Sequence, residues 1–250
     1  MSEVNYTPPP SLQDYMASDK FINLVVGPVG SGKTTASVLK IAYEAARIKA
    51  GNDGIRKSRA IWVRNTREQL RDTSIPDFLQ WFPDGIAGSY MKSEYKFLLK
   101  FGDVECEVLF RGLDDSNDVR RLLSLQATFA VFDEYREINP DIFNAMQGRL
   151  GRYPSKASNG VGACDDSGKQ IHKVFGASNP PDQGTFWEEY LSDPPDNANV
   201  FFQPSGLSAK ADWVQYLPAD FYANLAEGKT EDWIDVYIHA KFGKSLSGQP

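Results

Sequence analysis

An α/β fold with a mostly parallel central sheet, flanked by helices and carrying one antiparallel hairpin, is predicted by three observations. The apolar run at residues 21–26 enters a glycine-rich turn at 27–35, and a segment of helical periodicity follows. A second apolar run, Phe129-Ala130-Val131-Phe132, ends in Asp133-Glu134. Residues 95–101 and 104–110 are both strand-like, and only Gly102-Asp103 separates them, which is a hairpin signal. A chain of 250 residues with 41% apolar content suits one large α/β domain, or one domain with an appendage.

Residues 1–11 are polar and hold Pro8-Pro9-Pro10, so they are expected to be extended, within an N-terminal arm over 1–20. A core domain is expected over 21–210, and a helical subdomain running into a linker over 211–250. The first helix presents Val38, Leu39, Ile41, Ala42, Ala45 and Ala46 on one side. Ala60-Ile61-Trp62-Val63 reads as a short buried strand that exits through Arg64-Asn65-Thr66-Arg67. Thr66 is placed to cap a helix, and Pro76 suits the first position of another. Leu79, Trp81 and Phe82 read as core. Residues 119–125 suit one or two helical turns. Asn139-Pro140 pairs a cap with a first-position proline, starting a helix to about residue 150. Residues 154–170 form a long polar loop, of the kind that is either functional or mobile. Residues 171–177 return as a strand, ending in Ser178-Asn179-Pro180-Pro181. A short helix at 186–191, a strand at 200–202 and helices at 218–226 and 233–240 complete the pattern.

The loop reads GPVGSGKTT, that is Gly27, Pro28, Val29, Gly30, Ser31, Gly32, Lys33, Thr34 and Thr35. A strand, a tight glycine-rich turn and a helix N-terminus point successive N–H groups and a favourable dipole at an anion. Lys33 suits the terminal phosphates of a nucleoside triphosphate, and the Thr34 hydroxyl suits magnesium. Asp133 lies about 100 residues later, at the end of a buried strand, where it suits Mg2+. Glu134, adjacent, suits a general base that activates water. This makes the fold a P-loop NTPase of the additional-strand type with a catalytic glutamate. No guanine-reading Asn-Lys-x-Asp occurs, which favours ATP over GTP. Ser178-Asn179 ends the next strand, where it suits either a γ-phosphate sensor or turn chemistry before Pro180.

The order GPVGSGKTT, Arg64-Asn65-Thr66, VFDEYREI and GASNP resembles the large terminase subunit of tailed bacteriophages, the ATPase motor that packs DNA into proheads. The resemblance runs from about Phe21 to Gly243. RLGRY at 149–153 and FGKSLSG at 242–248 are its more particular parts. It implies Lys33 and Thr34 on phosphate and magnesium, Asp133 on magnesium, Glu134 as base and Ser178-Asn179 as the coupling motif. Further implied are a homo-oligomeric ring, double-stranded DNA held through its backbone without sequence reading, a portal protein, a small terminase subunit, and the cytoplasm of the infected bacterial host. Many relatives keep an arginine inside the loop; here those positions are Pro28, Val29, Gly30 and Ser31. The missing charge is expected from elsewhere. Arg121, 12 residues before Asp133, ranks first, with Arg120, Arg149 and Arg152 behind it. The nuclease domain of full-length relatives, with its carboxylate cluster, is expected to be absent.

Net charge is −6, which argues against a free-standing, high-affinity nucleic-acid binder. Residues 47–71 nevertheless concentrate Arg47, Lys49, Arg56, Lys57, Arg59, Arg64, Arg67 and Arg71. Charge alone leaves a phosphate-gripping face and a solvated surface equally open. Cys106 and Cys164 have no metal spacing, which suits a reduced compartment. No stretch is long and apolar enough for a membrane span. Tyr6 and Gln13, on the N-terminal arm, are the candidates for adenine contacts. Two alternatives to the motor stay open: a helicase-like ATPase on single strands, and a nucleotide-switch protein.

Overall fold

The computed structural model describes residues 5–243. In chain order it contains α1 Pro10–Ala17, β1 Ile22–Val26, α2 Lys33–Ala46 and β2 Arg56–Val63. Then come α3 Arg67–Gln69, a π-helical turn Leu70–Ser74, α4 Ile75–Trp81, β3 Gly88–Met91, β4 Lys96–Phe101 and β5 Val104–Arg111. The remainder is α5 Ser116–Ser124, β6 Phe129–Asp133, α6 Pro140–Gln147, α7 Lys156–Asn159, β7 Lys173–Ser178, α8 Phe186–Ser192, β8 Ala198–Phe202, α9 Phe221–Ala226 and α10 Glu231–Tyr237. The RLGRY segment follows α6, whereas FGKSLSG lies outside the described residues from position 244 onward.

The chain divides into two compact units. The first holds Ser37–Asp133 and Glu137–Phe175. Its strands run in the order β3-β4-β5-β2-β6, with the opening of β7 beyond β6. β2 pairs in parallel with β5, from Arg56 opposite Val104 to Val63 opposite Arg111, and in parallel with β6 on its other side. β4 and β5 form the expected antiparallel hairpin, closing at Phe101 opposite Val104. Gly102 adopts φ 55° there, the left-handed conformation such a tight turn needs. β3 adds one more antiparallel strand. Phe78 is the hub of this core. Its ring lies 5.2 Å from Phe97 and 5.4 Å from Phe110, and Trp62 packs edge-on at 6.5 Å. Phe82 is buried as expected, but Leu79 and Trp81 are only half-buried, because the helix turns Phe78 inward instead.

The second unit holds Tyr6–Ala36, Glu134–Arg136 and the chain from Gly176 onward. There the closing residues of β7 neighbour β1, and β8 pairs with β1 in parallel, Ile22 opposite Ala198. The sheet thus has eight strands, mostly parallel, with β7 as the added strand between β6 and β1. The arm is not wholly extended. α1 starts with Pro10 in its first turn and buries Leu12 and Tyr15, with Tyr15 edge-on to Phe201 at 5.7 Å.

Caps explain the helix starts. Thr66 and Gln69 form a reciprocal capping box, and the Asn139 side chain accepts from Asp141 N–H before Pro140 opens α6. The 154–170 loop is structured locally by α7, capped by Ser155, and by a bridge between Cys164 and Gln170. Cys106 and Cys164 are buried free thiols. Burial pushes the Cys106 thiol up to about 12. No helix among the described residues is long and apolar enough to cross a membrane.

Candidate active site

In the second unit, β1 delivers the chain into the glycine-rich loop. Gly30 and Gly32 take φ 74° and 80°, conformations a side chain resists. A Cβ on Gly32 would also come within 2.9 Å of the Trp213 indole. Lys33 opens α2, whose first turn carries no acidic residue, so the helix dipole there is unopposed. The Lys33 ammonium is buried and donates to the Pro28 carbonyl at 2.5 Å, with Ser31 Oγ at 3.4 Å. Ser31 Oγ lies 2.6 Å from Gln203 Oε1, and Gln203 Nε2 donates to the Ser31 carbonyl at 3.0 Å. Tyr222 donates its hydroxyl to the Val29 carbonyl at 2.7 Å, and Val29 N–H donates to the Tyr237 carbonyl at 2.9 Å. Thr34 and Thr35 occupy the first turn of α2.

Glu134 is the second element of this site. It has φ 51°, a left-handed backbone rare for a non-glycine residue. Its N–H donates to the Ala177 carbonyl at 2.8 Å. Its Oε2 accepts from Ser178 Oγ at 3.0 Å and from Asn179 N–H at 3.4 Å, and lies 3.6 Å from Arg136 Nε. The Asn179 amide donates to the Gly27 carbonyl at 2.8 Å. The loop, Glu134 and Ser178-Asn179 are therefore brought together in one hydrogen-bonded set.

Asp133 belongs to the first unit, at the end of β6. It is buried. Ser74 Oγ donates to its Oδ2 at 2.6 Å, and Arg64 Nη1 lies 3.5 Å away. Ser74 closes the π-helical turn after the Thr66 capping box, so that irregular turn aims its hydroxyl. The four arginine candidates are also in the first unit. Arg121 is 75% exposed, 3.5 Å from Asp118; Arg120 and Arg152 are exposed and Arg149 is half-buried.

Seven of the eight cations of the basic run have an acidic neighbour among the described residues. Arg47, Arg56, Lys57, Arg59, Arg64, Arg67 and Arg71 each sit within ion-pair distance of a carboxylate. Asp103, Glu107, Asp114 and Asp118, far off in sequence, supply much of that compensation.

Sequence reasoning missed Gln203, Ser74, Arg136 and Trp213. Arg136 stands inside the VFDEYREI string without a role assigned to it there, and the others make their contacts with residues far along the chain. Gln203 does stand directly after the strand at 198–202, which was its one signal. Gln13 lines an open cleft of about 1020 Å³ with Gln203, Asp212 and Trp213, and the Tyr6 ring lies 5.9 Å from that of Trp213.

No protein-family model matches this sequence, and no curated protein matches it. Solved structures do. The large terminase of a thermophilic bacteriophage aligns with TM-score 0.71 at 12% identity, over 95% of this chain and 54% of that one. Its complex with ATP-γ-S aligns with TM-score 0.66 at 12% identity, over 93% and 52%. The large terminase ATPase domain of Thermus phage P74-26 aligns with TM-score 0.61 at 14% identity, over 96% of this chain and 95% of that domain. The chain thus has the fold of large-terminase ATPase domains, a P-loop NTPase fold, and it spans about half the length of the longer terminase chains.

Proposed function

We propose that this chain is an ATP-hydrolysing motor domain that drives double-stranded DNA into a viral prohead. One observation carries the reading: Glu134, on a strained backbone, shares a hydrogen-bonded set with the phosphate-binding loop through Ser178 and Asn179. The terminase fold and the ATP-γ-S complex of a structural neighbour support ATP as the substrate.

In this reading the N–H groups of residues 27–35 and Lys33 hold the phosphates. Lys33 exchanges the Pro28 carbonyl for phosphate oxygen. Glu134 takes a proton from the attacking water as its oxygen bonds to the γ-phosphorus and the bond to ADP breaks. Ser178 and Asn179 pass the state of the site to the loop. The donors assigned to magnesium, the Thr34 hydroxyl and the Asp133 carboxylate, are the hard oxygen ligands that this ion takes alongside substrate phosphates. Magnesium would neutralise charge on the β- and γ-phosphoryl oxygens. The remaining transition-state charge is assigned to an arginine from a neighbouring subunit of a ring, Arg121 first, with Arg120, Arg149 and Arg152 as the other candidates. Such a residue contributes roughly 10³- to 10⁵-fold in related chemistry. A portal protein and a small terminase subunit are the proposed partners, in the cytoplasm of an infected bacterium.

The test is hydrolysis of ATP by the full chain with and without magnesium and double-stranded DNA. Hydrolysis should need magnesium, rise with DNA in a salt-sensitive way, and fall by roughly 10²- to 10⁴-fold in Glu134→Gln with nucleotide binding kept. DNA binding that is sequence-specific and indifferent to salt would sink the motor reading.

A further inference from the structure

Arg136 has no part in the mechanism above, yet its side chain is only 12% exposed. A guanidinium so buried must be compensated on all sides. Arg136 lies on the 3-10 turn Tyr135–Glu137 that follows β6, and it reaches three different segments. Its Nε lies 3.6 Å from Glu134 Oε2. Its Nη1 donates to the Pro180 carbonyl at 3.1 Å, and its Nη2 donates to the Tyr237 hydroxyl at 3.1 Å. The guanidinium carbon also sits 5.2 Å from the centre of the Tyr237 ring.

The Pro180 and Tyr237 segments both touch the phosphate-binding loop. Asn179, just before Pro180, holds the Gly27 carbonyl, and the Tyr237 carbonyl receives the Val29 N–H. Arg136 thus joins the two ends of a circuit that passes through the loop. The contacts to Glu134 are one-sided. Ser178 Oγ, Asn179 N–H and Arg136 Nε all converge on Oε2. Oε1 takes none of the three. A carboxylate pinned by one oxygen presents the other in a defined direction, which is what a base must do to meet a water in line. The need is acute here. Glu134 leaves the strand with φ 51°, so the regular pleat of β6 does not set the direction of its side chain. The neighbouring Tyr135 is fully buried, donates to the Val25 carbonyl at 3.2 Å and so anchors the turn that carries both groups.

We propose that Arg136 is a positioning residue for Glu134: it holds Oε2, with Pro180 and Tyr237 fixing the plane of the guanidinium, and so aims Oε1 at the attacking water. The proposal rests on Glu134 being the base. Because Tyr237 ends α10, it also makes the aim of the base depend on the seating of that helix.

The test compares single-turnover ATP hydrolysis and ADP affinity in the full chain and in Arg136→Ala, Arg136→Lys, Tyr237→Phe, Glu134→Gln and the double variant Glu134→Gln/Arg136→Ala. Arg136→Ala should slow hydrolysis roughly tenfold to a hundredfold, the range for a misaimed catalytic group. ADP affinity should hold, because Arg136 makes none of the loop's phosphate contacts. Arg136→Lys, which keeps the charge but loses the planar fork, should also slow it, and it carries the same test if the alanine variant does not fold. Tyr237→Phe should have the smaller effect. In the Glu134→Gln background, Arg136→Ala should do nothing further, since it acts through the missing carboxylate. A merely structural arginine would instead slow both backgrounds alike, and that result would overturn the proposal. So would unchanged hydrolysis in both Arg136 variants while Glu134→Gln is inactive. Full turnover in Glu134→Gln would remove the base itself, and the positioning role with it.

Discussion

Two glutamates sit beside cations, and they are built differently. Glu44, on α2 in the first unit, is fully buried. Its Oε1 receives Lys173 Nζ at 2.7 Å and Lys40 Nζ at 3.3 Å, and its Oε2 receives Arg47 Nη1 at 3.1 Å. Glu134, in the second unit, is 20% exposed and meets one guanidinium, one hydroxyl and one N–H, all at Oε2. Both oxygens of Glu44 are engaged by cations. Glu134 keeps an oxygen for chemistry and stands on a backbone that costs about 1–3 kcal/mol to hold. Burial with charge therefore does not by itself mark a catalytic group. An unsaturated carboxylate on a strained backbone does so better.

The largest effects should separate the two cleanly. Glu134→Gln is expected to cut hydrolysis by roughly 10²- to 10⁴-fold, the usual worth of a general base, with little change in unfolding free energy. Glu44→Gln is expected to do the reverse. It leaves two buried ammonium groups facing a neutral amide, at a cost of about 3–5 kcal/mol, read as a fall in the urea midpoint. A folded Glu44→Gln protein that has lost hydrolysis, or a Glu134→Gln protein that unfolds early, would erase the distinction.

The next effect is a pH dependence confined to the first cluster. Burial drives Lys40 from its ordinary value down to about 8, against the opposing pull of Glu44. Lys173 and Arg47 add repulsion, and the ammonium lies 5.2 Å over the Phe175 ring. Between pH 8 and the ordinary lysine range near 10.5, the unfolded chain binds more protons than the folded one at this site. Stability from Lys40 should therefore rise across that window, and be lost as pH falls back toward 8. The full swing is on the order of 3 kcal/mol. Urea midpoints of the native chain and of Lys40→Met, compared over that window, test it. Parallel curves would mean that the ammonium is not desolvated as described.

The parts of the molecule that were legible in the sequence are those with local causes. The 27–35 loop needs glycine at two left-handed positions. The Asn139-Pro140 start and the Thr66 cap satisfy N–H groups within three residues, and Gly102-Asp103 closes a hairpin whose strands are its immediate neighbours. Illegible features depend on partners far along the chain. Pro8-Pro9-Pro10 suggests only an extended arm, because α1 is held by Leu12 and Tyr15 packing, the latter on Phe201. Phe78 outranks Leu79 and Trp81 because Trp62, Phe97 and Phe110 happen to surround it. At the site, Lys33, Asp133 and Glu134 stand in recognisable strings, whereas Gln203 and Arg136 acquire their contacts only in three dimensions. Glu44 and Lys173 are 129 positions apart, and no spacing rule joins them. Several acids that pair with the basic run are likewise distant, with Asp103 in a turn, Glu107 on β5 and Asp118 on α5.

The smallest effect tests whether the first cluster is closed from within. Arg47 is the outer cation of Glu44, 28% exposed, with its guanidinium 5.7 Å from the Tyr43 ring. Water and salt reach it, so its Coulomb gain is screened and part of it is spent ordering a long side chain. Arg47→Ala should cost no more than about 1 kcal/mol and leave hydrolysis unchanged. Lys173→Met, which removes the inner partner, should cost several times that, because Glu44 would keep a buried negative charge with one fewer donor on Oε1. If instead Arg47→Ala destabilised the chain as much as Lys173→Met, the outer cation would be holding the cluster. Glu44 would then resemble Glu134 more than its burial suggests, a carboxylate whose state depends on a contact at its edge. Urea unfolding of the two variants side by side decides which description holds.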